Sequence, residues 1–343
     1  MSYTPIKKLS ASRIKTFTSC SQIYFAKYIL KAPDESNAGA AKGYCVHALL
    51  EVLLNKNKYY DFVNNIIKTK TVPKSCKRFL ARQLKKTDFY SEENLLLCET
   101  YLLVALSNDF WLDGMELEKA EIEFTITKEY KIGGFIDVRG IKIVDGKKVC
   151  KIRDYKSSKN KFTDKELETN VQAFSYLLAA LQDHPDLDVL NSEVEFVFLQ
   201  FPEDPIQVFK LKDDKSISGF EQYLKYIQKQ IDLFTEKDAT NNLAASLGWP
   251  EKGEGFCKLT MCGRAKSPGD LKKDGSPMYY CKFKFPFSYY AALDNDGNVV
   301  YTSFNPIKDS RYKTEKLEYA GCPYYNRKKV VHSHNDCPDD FDF

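Results

Sequence analysis

One stretch limits the possible folds more than any other: Gly133 to Lys156, reading GGFIDVRGIKIVDGKKVCKIRDYK. Phe135–Val144 is rich in Ile and Val, and Val149–Ile152 continues the pattern. Asp145-Gly146 between them is the dipeptide that two-residue hairpin turns prefer, because both central residues take positive φ. With that turn Val144 faces Lys147 and, counting outward, Asp137 faces Asp154. A four-residue loop on the same centre keeps this pairing; an odd loop breaks it unless a bulge restores it. Side chains alternate along strands, so Asp137, Asp154 and Lys156 share one face. Directly opposed Cβ atoms lie about 5 Å apart, and two carboxylates that close repel unless a cation or a proton sits between them. The plainer reading is an exposed sheet face of mixed charge. The rest of the chain decides between the two.

The chain has 343 residues, 43% of them hydrophobic, enough for one large domain with an appendage or for two domains. Its formal charge is only +4, so any nucleic-acid surface must be local. No apolar run reaches the about 18 residues a membrane span needs. The start, MSYTPIKKLS, lacks an apolar signal core, which leads us to expect a cytoplasmic protein, or one of the host cytoplasm if phage-encoded. Thiols stay reduced there, so the ten cysteines read as core residues or metal ligands. Cys20, Cys45, Cys76, Cys98 and Cys150 are scattered; Cys257, Cys262, Cys281, Cys322 and Cys337 crowd the last part. That shift places a boundary near Trp249-Pro250. There is no G-x-x-x-x-G-K-[ST] phosphate loop, hence no recognisable motor.

Taken in order, Ser10–Leu30 reads as one helix capped by Ser10, with Cys20 inside it. Ala38–Leu54 is a second helix with an apolar stripe of Val46, Leu49, Leu50, Leu53 and Leu54. His47 and Glu51 lie at the edge of that stripe, four residues apart and facing one way. A lone histidine there is ordinarily a satisfied core residue; it becomes a ligand only if the helix packs beside the hairpin. Tyr59–Leu117 reads as a mostly helical lobe. Lys68–Lys86 within it is strongly basic, either a solvated face or a groove that tracks a phosphate backbone. Glu121–Thr127 alternates cleanly and should pair with the hairpin and extend its sheet, with Glu123 approaching the site. After Lys156 a polar loop holds Lys159 and Lys161. Leu167–Leu181 is a helix placing Gln172 and Tyr176 on one face, four residues apart. Glu193–Phe201 and Ile206–Leu211 are strands, and Ile217–Phe234 is an amphipathic helix.

The last part differs. Cys257 and Cys262 form C-x4-C, Cys281 follows, and aromatic strands lead to Cys322, His332, His334 and Cys337. The spacing is compatible with structural zinc, though less specific than paired C-x2-C. Cys257, Cys262 and Cys281 are the firmest ligands, with Cys20, Cys322 or Cys337 as the fourth. The end, NDCPDDFDF, reads as disordered and solvated by composition. It also looks like the acidic, Phe-ended tails of single-stranded-DNA-binding proteins.

These motifs together resemble the PD-(D/E)xK nuclease superfamily, in its branch of recombination helicase–nuclease domains and CRISPR adaptation nucleases. The likeness covers about residues 10 to 211. It comprises S-x-S-x-[IL]-x-x-[FY] at Ser10–Phe17 followed by Cys20, a helical histidine in GYCVHALLE (His47), G-x-[IL]-D at Gly134–Asp137, D-x-K at Asp154–Lys156, and Q-x-x-x-Y at Gln172 and Tyr176. The resemblance implies that His47, Asp137, Asp154 and the main-chain carbonyl of Tyr155 bind Mg²⁺ or Mn²⁺. It implies that Lys156 orients or helps deprotonate the attacking water, and that Gln172 and Tyr176 contact the substrate backbone, near which Lys159 and Lys161 also fall. Some relatives hold a [4Fe–4S] cluster on one N-terminal and three C-terminal cysteines. Cys20 matches the first; the C-terminal spacing departs from the pattern, which leaves zinc and a cluster both open.

The expected architecture is therefore α/β (α+β): a restriction-endonuclease-like mixed sheet flanked by helices. The nuclease core spans 1–245 with a helical lobe at about 52–117, followed by a Cys-rich, metal-binding region at 246–334 and an acidic tail at 335–343. The expected activity is that of a metal-dependent deoxyribonuclease, an exonuclease of DNA ends in repair, recombination or phage-type replication, acting on single strands or ends beside a helicase or another replication or recombination protein, and on no membrane. The alternatives are a structure-specific or single-strand endonuclease of the same fold, and a catalytically silent nucleic-acid-binding adaptor.

Overall fold

The computed structural model describes residues 8–34, 37–240, 262–263 and 265–323. Cys257, Cys337, the Trp249-Pro250 boundary and the acidic tail lie outside the described residues. In chain order the elements are α1 (Ala11–Ser19), α2 (Ser21–Tyr24) running into a π-helical turn at Phe25–Ile29, α3 (Ala38–Leu53), α4 (Lys56–Thr69), α5 (Lys74–Lys86), α6 (Glu92–Leu106), β1 (Glu116–Leu117), β2 (Ile122–Thr127), β3 (Lys131–Ile136), β4 (Val138–Val144) and β5 (Lys147–Lys156). There follow α7 (Asp164–Glu168), α8 (Val171–Asp183), β6 (Glu193–Phe198), β7 (Ile206–Phe209), α9 (Lys215–Asp232), α10 (Glu236–Thr240), β8 (Phe287–Leu293), β9 (Val299–Ser303) and β10 (Lys313–Tyr319). Two compact units result. One comprises Lys7–Ser12 and Ser36–Asp232; the other comprises Arg13–Glu35 and the described residues from Leu233 onward.

The first unit is built on a five-stranded sheet of order β1-β4-β5-β6-β7. Only β5–β6 is parallel, so the sheet is mixed. β4 and β5 pair from Val144↔Lys147 to Val138↔Arg153, the register the Asp-Gly turn predicts. Asp145 and Gly146 take φ of 50° and 75°, as that turn requires. Two expectations are corrected. Phe135–Val144 is not one strand, because the chain breaks at Asp137 between β3 and β4. β3 instead pairs with β2 in a separate two-stranded sheet, so the Glu121–Thr127 strand does not extend the main one. Gly133 and Gly134 permit that close pairing: a Cβ at either would press on the Phe124 carbonyl or ring.

α3, α4, α5 and α6 pack as a lobe whose apolar stripes meet one another and the sheet. Leu49, Leu50, Ile66, Leu80 and Leu102 share one core with Tyr155 and Val197. Burying each such side chain stabilises the fold by roughly 1.5–3 kcal/mol. Asn37 starts α3 by accepting the Ala40 N–H. A Cβ at Gly43 would collide with the Ser157 side chain, so glycine there lets α3 lie against the end of β5. His47 sits one turn further along. Arg153, 1% exposed, donates to Glu195 Oε2 and, through Nη1, to the carbonyls of Asn108 and Asp109 at 2.7 and 2.8 Å. It ties β5 to β6 and to the chain leaving the lobe. The helix expected over Leu167–Leu181 is split, because Asn170 accepts the N–H groups of Gln172 and Ala173 and starts α8 there. Gln172 thereby occupies the first turn of α8.

In the second unit α1 and α2 separate at Cys20, whose backbone is extended (φ −159°, ψ 106°). The single helix expected over Ser10–Leu30 is therefore interrupted, and Cys20 lies at the break rather than inside a helix. β8 forms the centre of a three-stranded antiparallel sheet between β10 and β9. Ala26, Ala32, Phe283, Tyr289 and Tyr319 make the unit's apolar cluster. No helix among the described residues is long and apolar enough to cross a membrane.

Candidate active site

The break at Asp137 turns its carboxylate toward the end of β5. Asp137 Oδ2 accepts the Tyr155 N–H at 2.8 Å and lies 3.4 Å from His47 Nδ1. The other ring nitrogen, Nε2, is 2.9 Å from the Tyr155 carbonyl oxygen. α3 thus packs beside the hairpin, the condition on which His47 leaves its core role. Glu121 joins from the start of β2. Its backbone is left-handed (φ 50°), held there by its N–H donating to the Asp137 carbonyl at 3.2 Å. The ligating atoms of His47, Glu121 and Asp137 all lie within 4.8 Å of one another. Burial opposes a charge on His47, but the Asp137 carboxylate, then Asp154 and the Tyr155 carbonyl, raise its pKa to about 9. Burial, with Asp137 adding to it and His47 opposing, raises that of Glu121.

Behind this group Asp154 is 3% exposed. Oδ1 accepts from the Tyr176 hydroxyl at 2.7 Å and from Gln172 Nε2 at 2.8 Å. Oδ2 lies 2.6 Å from Lys156 Nζ, which also donates to Gln172 Oε1 at 2.7 Å. Burial raises the Asp154 carboxyl pKa, Lys156 opposes that, and Asp137 adds to it. Burial and the neighbouring Asp154 lift the Tyr176 hydroxyl well above its ordinary range. One end of the constellation therefore presents oxygen and nitrogen donors of net negative charge. The other presents an ammonium fixed by two acceptors.

The expected residues His47, Asp137, Asp154, Tyr155, Lys156, Gln172 and Tyr176 come together. Lys159 is exposed in the loop after β5, and Lys161 pairs with Asp204 at 2.6 Å. Glu51 is exposed but contributes to the field on Glu121. Glu123, the acid expected from this strand, lies 3.9 Å from Lys8 and is largely exposed. Glu121 takes the place instead. Alternation put both glutamates on one face and could not choose between them; the positive φ of Glu121, which turns it out of the strand, has no sequence signal of its own.

In the second unit Cys20, Cys262 and Cys322 lie near enough to Cys281 for their thiols to act on its own. Cys281 N–H donates to the Cys262 carbonyl at 3.1 Å, and Cys322 N–H to the Lys284 carbonyl at 3.1 Å. The buried Lys284 holds the Gly263 and Ala265 carbonyls at 2.9 and 2.6 Å. Burial raises the Cys281 thiol to about 12, and the thiols of Cys20, Cys262 and Cys322 add to the shift. Cys20 and Cys322, two of the three candidates for a fourth partner, both act on Cys281 together with Cys262; Cys257 and Cys337 lie outside the described residues.

A mixed sheet whose hairpin carries Asp and Asp-x-Lys beside a helical histidine is the framework of a nuclease. A family description, the PD-(D/E)XK nuclease superfamily, matches residues 8–258, and the chain belongs to that family. It is also similar to one subunit of the ATP-dependent helicase/deoxyribonuclease of Clostridium botulinum, at 23% identity over 387 aligned positions, which cover 91% of this chain and 32% of that protein. The chain thus spans about a third of that relative's length.

Proposed function

We propose that this chain is a divalent-metal-dependent deoxyribonuclease, an exonuclease that trims single strands or ends during repair, recombination or phage-type replication. The carrying observation is the convergence of His47, Glu121 and Asp137 within 4.8 Å, immediately beside the Asp154–Lys156 pair. Hard oxygen donors with one imidazole suit Mg²⁺ or Mn²⁺. His47, Asp137, Asp154 and the Tyr155 carbonyl would hold it, with Glu121 as a further carboxylate. When bound, such a cation lowers the pKa of a water and neutralises charge on the scissile phosphate. Lys156 Nζ, held by Asp154 and Gln172, orients the attacking water and offsets the charge that develops on the phosphate. Tyr176 and Gln172 donate to Asp154 Oδ1, which favours its charged form against the burial that opposes it. His47 gives up its proton before it can serve as a ligand.

For the second unit we propose a metal held by Cys20, Cys262, Cys281 and Cys322. Four thiolates suit either zinc or a [4Fe–4S] cluster, and iron and zinc analysis of the purified protein decides between them. The similarity to part of a helicase/deoxyribonuclease supports a helicase partner.

Linear and circular single-stranded DNA of equal sequence, incubated with the protein and Mg²⁺, test the activity. An exonuclease degrades the linear form and spares the circle. Cutting of both means an endonuclease of this fold, and cutting of neither a silent adaptor.

A further inference from the structure

α5 carries six Lys and Arg residues and no acid, whereas the whole chain's net charge is only +4. Its apolar side is committed to the core through Cys76, Leu80 and Leu84. Lys74, Arg78, Arg82 and Lys86 are exposed on the remainder. They recur every four residues, so they climb the helix in steps of about 6 Å as one slowly turning ridge. Lys77 is tied to Glu99 at 2.6 Å; those four have no ion-pair partner among the described residues. Elsewhere Lys27, Lys128, Lys148, Lys212, Lys225 and Lys313 each lie on an acid at 3.2 Å or less, and exposed cations such as Lys142, Lys165, Lys215 and Lys229 are spread over β4, α7 and α9; α5 differs in stacking four of them in one row. At the end of the ridge Lys85 sits 4.9 Å over the ring of Tyr90, which is 39% exposed.

A row of cations left unneutralised on a rigid helix is complementary to a row of regularly spaced anions. Arginines in the row favour phosphate, whose oxygens match the guanidinium fork. An exposed ring beside the row supplies a face on which an unpaired base stacks, which a duplex does not offer. We propose that α5 is a docking ridge for the phosphate backbone of a single nucleic-acid strand, with Tyr90 as its stacking platform. α5 packs on α3, the helix that carries His47, so a strand held on the ridge is held by the scaffold of the active site. The proposal rests on the nuclease reading for its purpose. It does not rest on it for its test, because binding is measured without cleavage.

The test is fluorescence anisotropy of a labelled 20-nucleotide single strand, in EDTA, across a salt series. The Lys74→Ala/Arg78→Ala/Arg82→Ala/Lys86→Ala variant should bind at least about tenfold more weakly at low salt. Its log–log salt slope should be shallower by about 0.7 for each phosphate contact removed. A control that replaces the exposed Lys142, Lys165, Lys215 and Lys229 by Ala removes the same charge elsewhere and should bind nearly as the parent does. If the fourfold variant does not fold, Arg78→Ala/Arg82→Ala gives the same readout at about half the slope change. Tyr90→Ala should weaken the single strand and leave a duplex unaffected. Unchanged affinity and slope in the α5 variant overturn the ridge, as does an equal loss in the control; equal losses for strand and duplex overturn the single-strand assignment. None of these outcomes touches the cleavage assay, on which the nuclease reading stands or falls separately.

Discussion

The two units gather ionisable side chains in opposite ways. In the first, Asp137, Asp154 and Glu121 are held close by groups of the other sign: His47 stands between Asp137 and the Tyr155 carbonyl, and Lys156 sits on Asp154. In the second, Cys281 is surrounded by groups of its own kind: burial pushes its thiol up to about 12, and Cys20, Cys262 and Cys322 add to the shift. The first site is held by hydrogen bonds among its own side chains and backbone. In the second, burial disfavours the Cys281 thiolate, and the proposed metal would have to displace that proton to bind. Loss of a first-site group should therefore cost activity with the fold intact; loss of a second-site thiol should cost the fold around it.

The largest expected effect is on chemistry. Asp154→Ala should lower the cleavage rate by about 10³-fold or more, since it removes both a proposed cation ligand and the acceptor that fixes Lys156. Its circular dichroism and its second-site metal content should match the parent. Lys156→Ala should be similarly inactive but still bind the cation by calorimetry, because ammonium is no ligand. Next comes stability: Cys281→Ser should release the second-site metal and lower the melting temperature by about 10 °C, a loss of a few kcal/mol, with Mg²⁺ binding to the first unit retained. A thermal melt with metal analysis on the same sample checks both halves of that contrast.

Smaller effects should follow from His47. Its folded pKa of about 9 lies above the ordinary value of 6.5, so its charged form stabilises the metal-free fold. That contribution is present in full below about pH 6.5 and is lost as pH rises through about 9. A cation must displace the same proton, so Mn²⁺ affinity should climb by about tenfold per pH unit up to pH 9 and then level, with close to one proton released per ion at pH 7. Calorimetry in buffers of different ionisation enthalpy reads this directly, and His47→Ala should flatten the dependence. Smallest of all, Tyr176→Phe removes one of the donors to Asp154 Oδ1 and should slow cleavage about tenfold, in line with about 1–2 kcal/mol for a hydrogen bond to a buried charge.

Much of the first site was legible because its signals are local. Asp145-Gly146 set a turn, the turn set the register, and alternation set the face; the Val144↔Lys147 pairing follows from the dipeptide. His47 needed one further condition, the close packing that Gly43 permits. The break at Asp137 and the separate β2–β3 sheet were not legible, since Phe135–Val144 has the β-branched composition of an unbroken strand. Nor was the choice of Glu121 over Glu123, which hangs on a backbone bond to the Asp137 carbonyl. The interruption at Cys20 was not legible either, because its neighbours on both sides are helical and only its extended backbone marks the break.

The most direct test of the central claim is digestion of an end-labelled single-stranded oligonucleotide, in parallel with Mg²⁺, with Mn²⁺ and with EDTA, by the parent protein and by folded Asp154→Ala. The account requires products from the parent with either cation, none with EDTA, and none from the variant under any condition. Cleavage that persists in EDTA, or that survives in a folded Asp154→Ala protein, would contradict it.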